Sequence, residues 1–330
     1  MATVMTMNGE VQGEDLGIVD YHEHLAFDAP EWLLEADGDF DLDDPEKSAE
    51  ELKTWIHAGG RTIIDMTAID FGRNITKVQR VAELVPKAHI IVITGYNKPY
   101  FCDPSVFETP EKDLISACVK DITDGIDGSG VKAGIVKGGS GYNTMNEQDQ
   151  MLLRVAAKVY QETGVPIITH TEGGTMGFEQ VEYLVSHGVK PERICLSHMD
   201  RNPDFWDHSR ITQAGAYVGY DCPGKIKYGP DEYRNGVLQR MIEAGQGNRI
   251  LLGNDLGRPS YTGPLDKGTD RYLPEHCQHL VEIGGSLFNK LPVFEPFFND
   301  DRQHGEYKKR VGPEVGRQVN VGHGRGFGAP

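Results

Sequence analysis

A (β/α)8 TIM barrel, an α/β fold, is what this sequence predicts, on three observations. Eight short β-rich runs alternate with longer helical patterns over about 250 residues, the usual length of such a barrel. Several runs are apolar without alternation, as parallel strands covered on both faces are. No G-x-G-x-x-G follows a strand, which weighs against an open dinucleotide-binding sheet.

Each element rests on local text. The first strand, residues 17–20, lies in the apolar run Leu16-Gly17-Ile18-Val19-Asp20-Tyr21; the others fall at 62–66, 90–94, 133–137, 166–169, 194–197, 216–219 and 250–253. Helical patterns span 45–57, 75–85, 110–123, 147–163, 178–187 and 231–244. Glycine closes several of them, at Gly59-Gly60, Gly164 and Gly245, where a left-handed residue can end a helix. The run Gly138-Gly139-Ser140-Gly141 lacks the Lys-Ser/Thr of a phosphate loop and reads as a flexible connection. A single barrel is read over residues 1–283, with its last helix cut short near Ile283. Residues 284–330 have Gly-rich, charged text with little helical periodicity, so an atypical, disordered tail is expected there.

Composition narrows the partners. Of 330 residues, 38% are apolar and 25% charged, and no apolar run approaches the ~18–20 residues of a membrane span. Net charge is −17 with no basic tract, which argues against nucleic acid and anionic membrane surfaces as partners; a small-molecule substrate is expected, and an anionic one stays open. The five cysteines show no paired spacing, so reduced thiols in a cytoplasmic protein are expected. Residues 1–10 lack both the basic start and the apolar stretch of a signal peptide.

The chemistry gathers at strand ends. His22-Glu23-His24 ends the first strand, and residues two apart on a strand share a face, so both rings can reach one metal. Lys137, His170, His198 and Asp255 end the fourth, fifth, sixth and eighth strands. In a barrel all six would face the C-terminal mouth, where such sites are built. Imidazole and carboxylate suit zinc first, with manganese, cobalt or iron as alternatives. An ammonium cannot ligate, but Lys137 carbamylated by CO2 would present a carboxylate able to bridge two ions; burial would favour the required loss of its proton.

This pattern resembles the phosphotriesterase-like branch of the amidohydrolase superfamily. Asn8-Gly9-Glu10, Leu16-Gly17-Ile18 before His22-Glu23-His24-Leu25, Gly72-Arg73, and Gly253-Asn254-Asp255 carry the likeness over roughly residues 4–265. The resemblance implies two divalent ions, one held by His22, His24 and Asp255 and the other by His170 and His198, with carbamylated Lys137 and a hydroxide bridging them. It implies hydrolysis by that hydroxide, with Asp255 as proton shuttle, and a homodimer. No G-x-S-x-G elbow competes as a nucleophile.

The substrate is read from the loops. Asn97-Lys98 follows the third strand, Lys225, Lys227 and Tyr228 follow the seventh, and Arg258 follows the eighth. Cations near the mouth of an acidic protein suit an anionic substrate. The segments look like those of phosphorylated sugar-lactone lactonases, which implies opening of a phosphorylated sugar 1,4-lactone. Lys225 and Lys227 read equally as a solvated loop. The rival readings are a phosphotriesterase or neutral lactonase with the same metal site, and a catalytically inactive barrel that binds. A mononuclear deaminase fits less well, since it typically carries a Glu near the strand-five histidine and leaves Lys137 unused. His57, His89, His187, His208, His276, His279, His304 and His323 read as core or surface, residues 37–44 as a solvated acidic face, and Asp65 as a strand end.

Overall fold

The computed structural model of the protein describes residues 3–261. Strands β1 (Thr3–Thr6) and β2 (Gly9–Gln12) form an antiparallel hairpin that the sequence reading lacked. Eight parallel strands follow: β3 (Val19–Glu23), β4 (Thr62–Asp65), β5 (His89–Gly95), β6 (Ile135–Ser140), β7 (Ile167–Thr171), β8 (Ile194–Ser197), β9 (Tyr217–Tyr220) and β10 (Ile250–Leu252). Each pairs with its sequence neighbour, giving the order β3 to β10. The sheet curls until its ends meet: the Asp255 N–H donates to the His22 carbonyl at 2.7 Å, and the Leu256 N–H to Glu23 Oε2 at 2.9 Å.

Helices α1 (Glu31–Ala36), α2 (Pro45–His57), α3 (Ile75–Leu84), α4 (Ser105–Glu108), α5 (Glu111–Thr123), α6 (Glu147–Thr163), α7 (Gly177–Ser186), α8 (Phe205–Gln213) and α9 (Asp231–Glu243) fill the crossovers. Their limits follow capping chemistry. Asn146 and Asp149 close a capping box on α6, and left-handed Gly164 ends it. Asp44 accepts the N–H groups of Glu46 and Lys47 ahead of Pro45, so one member of the supposed solvated acidic face caps α2. Helix α8 escaped the periodicity reading because its buried face carries His208, Ser209 and Thr212 beside Ile211, which leaves no apolar stripe to see.

Two apolar layers hold the barrel. Inside lie Ile64, Ile93, Ile135, Ile168 and Leu251, joined by Val4 of the hairpin. The Met7 N–H donates to the Ile90 carbonyl near the start of β5, so the hairpin covers the N-terminal end of the barrel and leaves the C-terminal mouth for chemistry. Outside, strand residues such as Val136, Ile167 and Leu196 pack on Leu152, Val181 and Ile211 of the helices. Gly219 gives Tyr21 its place in the interior, since a Cβ there would stand 1.9 Å from the Tyr21 hydroxyl.

The structure moves two expected boundaries. The first barrel strand starts at Val19 and runs through His22, because Gly17 takes a positive φ of 61° and belongs to the turn before it. The fourth does not end at Lys137 but runs to Ser140, so residues 138–140 are buried strand rather than flexible loop. At Gly139 a side chain would meet the Asn97 carbonyl at 2.4 Å, which explains the glycine by close approach of neighbouring backbone. The boundary near residue 283, the 284–330 tail, His276, His279, His304 and His323 lie outside the described residues. Among the described residues no helix is long and apolar enough to cross a membrane.

Candidate metal centre and substrate cavity

The C-terminal ends of the strands bring the expected residues together. His22 lies in β3 and His24 follows it; His170 lies in β7; His198 follows β8 and Asp255 follows β10. Lys137 pairs with Ile168 across the β6–β7 ladder, so its side chain shares the interior face with Ile168 and His170. His198 and Asp255 have positive φ angles of 63° and 52°. Such backbone costs about 1 kcal/mol or more for a non-glycine residue and gathers at functional sites. Both are pinned: the His198 N–H donates to Asp221 Oδ2 at 3.1 Å, and the Asp255 N–H to His22 as described.

The donor geometry fits a metal. Asp255 Oδ1 lies 3.5 Å from His24 Nε2 and 3.8 Å from His22 Nε2. A tetrahedral ion with ligands at about 2.1 Å spaces them by about 3.4 Å, so the three donors stand near coordinating separation. Their opposite nitrogens are engaged. His22 Nδ1 meets Ser197 Oγ at 3.0 Å, His24 Nδ1 meets Thr67 Oγ1 at 2.9 Å, and His198 Nδ1 meets Asp221 Oδ1 at 2.6 Å. Such outer partners fix ring orientation and present Nε2 for coordination. The His198 ring centroid lies 4.8 Å from that of His22 and 4.7 Å from that of His170. His170 Nε2 contacts Glu172 Oε2 at 3.1 Å.

Electrostatics favours ligation too. Burial, reinforced by the Lys137 charge, holds His22 well below its ordinary pKa; burial and Arg201 do the same for His198. Burial takes His170 down to about 3. Neutral imidazole is the form that binds metal. Lys137 is pushed down to about 8 by burial, against the opposing charges of Asp255, Asp221 and Asp70. Burial opposes charge at Asp255, yet Lys225 and the His24 hydrogen bond hold its carboxyl well below the usual range.

A cavity of about 320 Å³ opens above these donors. Asn97, Lys98, Tyr228 and Arg258 line it, as do the four histidines and Asp255. Two other expected substrate residues sit differently. Lys225 is 7% exposed and turned inward, donating to Asp255 Oδ2 at 2.9 Å, so it serves the carboxylate and does not line the cavity. Lys227 is exposed, its Nζ 4.9 Å from the Tyr228 ring centre. Lys98 is ion-paired to Glu172. Arg258 is paired with Asp37 and lies 3.9 Å over Phe40, so the 37–44 segment supplies a partner for a cavity residue.

Three contributors escaped the sequence reading. Asp221, fully buried after β9, accepts from the Tyr21 hydroxyl and from His198. Its position after the seventh barrel strand was the available signal, the same one that marked the histidines. Glu172 is held ionised by its His170 hydrogen bond, against burial and with help from Lys98. Arg201 donates from Nη2 to Asp255 Oδ2 at 3.1 Å and stacks 4.0 Å over Tyr228. His198, Asp221, Cys222 and Asp255 also bring one donor atom each within 4.8 Å. In that group burial raises the Cys222 thiol well above its ordinary pKa and Asp221 is already engaged, so the His22–His24–Asp255 set is the better ion seat.

Known proteins are similar over most of this chain. The model of the phosphotriesterase family matches residues 2–277. A phospho-furanose lactonase of Mycoplasmopsis synoviae is 32% identical over 326 residues, covering 90% of each chain. A phospho-furanose lactonase of Mycoplasmopsis agalactiae is 33% identical over 244 residues, covering 69% of each. Among solved structures, a lactonase from Listeria monocytogenes matches with a TM-score of 0.80 at 28% identity, over 91% of this chain and 100% of its own. The Escherichia coli phosphotriesterase homology protein, complexed with phosphate in its active site, matches with a TM-score of 0.76 at 29% identity, over 84% and 94%.

Proposed function

The chain belongs to the phosphotriesterase family and is a hydrolase, and from that premise we propose that it opens the ring of a phosphorylated sugar 1,4-lactone. The observation that carries the reading is the cation-bearing wall beside the donor cluster: Arg201, Tyr228 and Arg258 line the same cavity as His22, His24 and Asp255, and Lys227 lies against the Tyr228 ring. The phospho-furanose lactonases and the phosphate bound in the Escherichia coli homologue support it.

His22, His24 and Asp255 would hold one divalent ion and His170 and His198 another, zinc suiting the nitrogen and oxygen donors and manganese, cobalt or iron being compatible. Lys137, buried and low in pKa, would be the residue to carry a CO2-derived carbamate, which would add a carboxylate to the donor set. The chemistry such ions supply when bound is polarisation of the lactone carbonyl and acidification of water. Asp255, kept ionised by Lys225, is the base that takes the proton of the attacking water. Water adds its oxygen to C1, the bond from C1 to the ring oxygen breaks, and the proton passes from Asp255 to the departing alkoxide. The product is an aldonate that keeps its phosphoryl group.

Purified protein with measured metal content, assayed on 5-phosphorylated aldonolactones, neutral lactones and phosphotriesters, tests the reading. We expect about two ions per chain and a preference for the phosphorylated lactones. Efficient turnover of neutral lactones with none of the phosphorylated ones would overturn it.

A further inference from the structure

Arg201 is the cation in this cavity whose contacts divide between the reaction centre and open space. It ends a 3-10 turn, Met199–Arg201, that starts one residue after His198. Its side chain is 6% exposed and lines the cavity. Nη2 donates to Asp255 Oδ2 at 3.1 Å, Nε donates to Cys222 Sγ at 3.1 Å, and the guanidinium carbon sits 4.0 Å over the Tyr228 ring. A guanidinium carries five N–H donors in one plane. Those on Nη1 make no hydrogen bond among the described residues. Three neighbouring cations already have carboxylate partners: Lys98 has Glu172, Lys225 has Asp255 and Arg258 has Asp37.

We propose that Arg201 binds the phosphoryl group of the substrate through its Nη1 edge while its Nη2 edge holds Asp255, so that one rigid plane sets the distance between the anchored anion and the proton acceptor. This rests on the phosphorylated-lactone reading above. A phosphate monoester offers paired oxygens that match a guanidinium fork, and the ring of Tyr228 keeps the fork from swinging. A lysine in the same place could keep one of the two contacts but not both, because its ammonium is a point charge on a flexible stem. The anion therefore contributes to turnover as well as to affinity, since its grip on Arg201 aligns Asp255.

The experiment compares wild type, Arg201→Lys and Tyr228→Leu in metal-loaded protein. It measures kcat and KM on a 5-phosphorylated 1,4-lactone and on the lactone lacking the phosphoryl group. Calorimetry measures the affinities of the two corresponding aldonates. For Arg201→Lys the ratio of kcat/KM between the lactones is expected to fall at least tenfold, with the larger part in KM, and the ratio of aldonate affinities to fall alongside. Tyr228→Leu leaves both Arg201 and Asp255 in place and is expected to lower the ratio about threefold, which decides the matter if Arg201→Lys is unstable. A wild-type preference that survives both variants overturns the role of Arg201 alone. A wild type without any preference for the phosphorylated lactone overturns the reading beneath it.

Discussion

The two flanks of the barrel mouth use their cations differently. On the flank of β5 and β7, Lys98 is answered by Glu172, and Glu172 also contacts His170, so the pair is neutral and serves a ring. On the flank of β8 to β10, Arg201, Lys225 and Lys227 gather around Tyr228 and Asp255, and Arg258 stands at the rim with Asp37 and Asp39. Asp37 and Asp39 are the more exposed members, so positive charge is in excess deeper in the wall. That imbalance shows in Lys227, whose pKa is lowered by burial and then by Arg258, Lys225 and Arg201. The lesson is that counting lysines near a mouth is not enough. A cation already matched by a protein carboxylate positions groups, and a cation in excess is available to a ligand.

The largest effect belongs to the carboxylate that joins the flanks. Asp255→Asn should lower kcat/KM by roughly 10³-fold or more and reduce bound metal, checked by steady-state kinetics and metal analysis. Lys225→Met should act through Asp255, lowering kcat about 10- to 100-fold with KM moved little; a rise in KM alone would restore Lys225 to the clamp. Lys137 gives a pH test in metal-free protein. Its folded value of about 8 lies below the ordinary 10.5, so the unfolded chain binds the extra proton between those values and stability rises with pH there. Denaturant titration should show wild type gaining about 3 kcal/mol over Lys137→Met between pH 8 and 10.5, with a constant difference below pH 8. Lys227→Met should raise KM for a phosphorylated lactone about tenfold, an effect of about 1.4 kcal/mol. Lys98→Met should change it less than threefold. Equal effects from those last two variants would erase the distinction between the flanks.

The candidate donors were legible because they sit at strand ends, and strand ends are marked by local apolar runs. His22, His24, His170, His198 and Asp255 could each be placed without knowing any partner. Asp221, Glu172 and Arg201 gain meaning only from contacts. The Tyr21–Asp221 hydrogen bond spans 200 residues, and the Lys98–Glu172 pair spans 74. Lys225 shows the same limit from the other side: its residue type and loop suggested an anion clamp, but burial and Asp255 give it an internal task. Helix α8 was missed for a related reason, since His208 is buried through its bond to the Tyr220 hydroxyl at 2.6 Å rather than by an apolar pattern.

The seam between β3 and β10 has a consequence in time. Glu23 and Leu256, bonded across it, are 233 residues apart. At about 5–20 residues per second, a ribosome needs roughly 10–50 s between them. Until the end of β10 emerges, His22 and His24 wait without Asp255, and a nascent chain has only part of this donor group. Contacts this distant are also slow to form because of their loop-closure entropy. The candidate donor group is therefore completed late in the life of each chain, and an interrupted chain ending before residue 255 would lack the carboxylate on which both flanks converge.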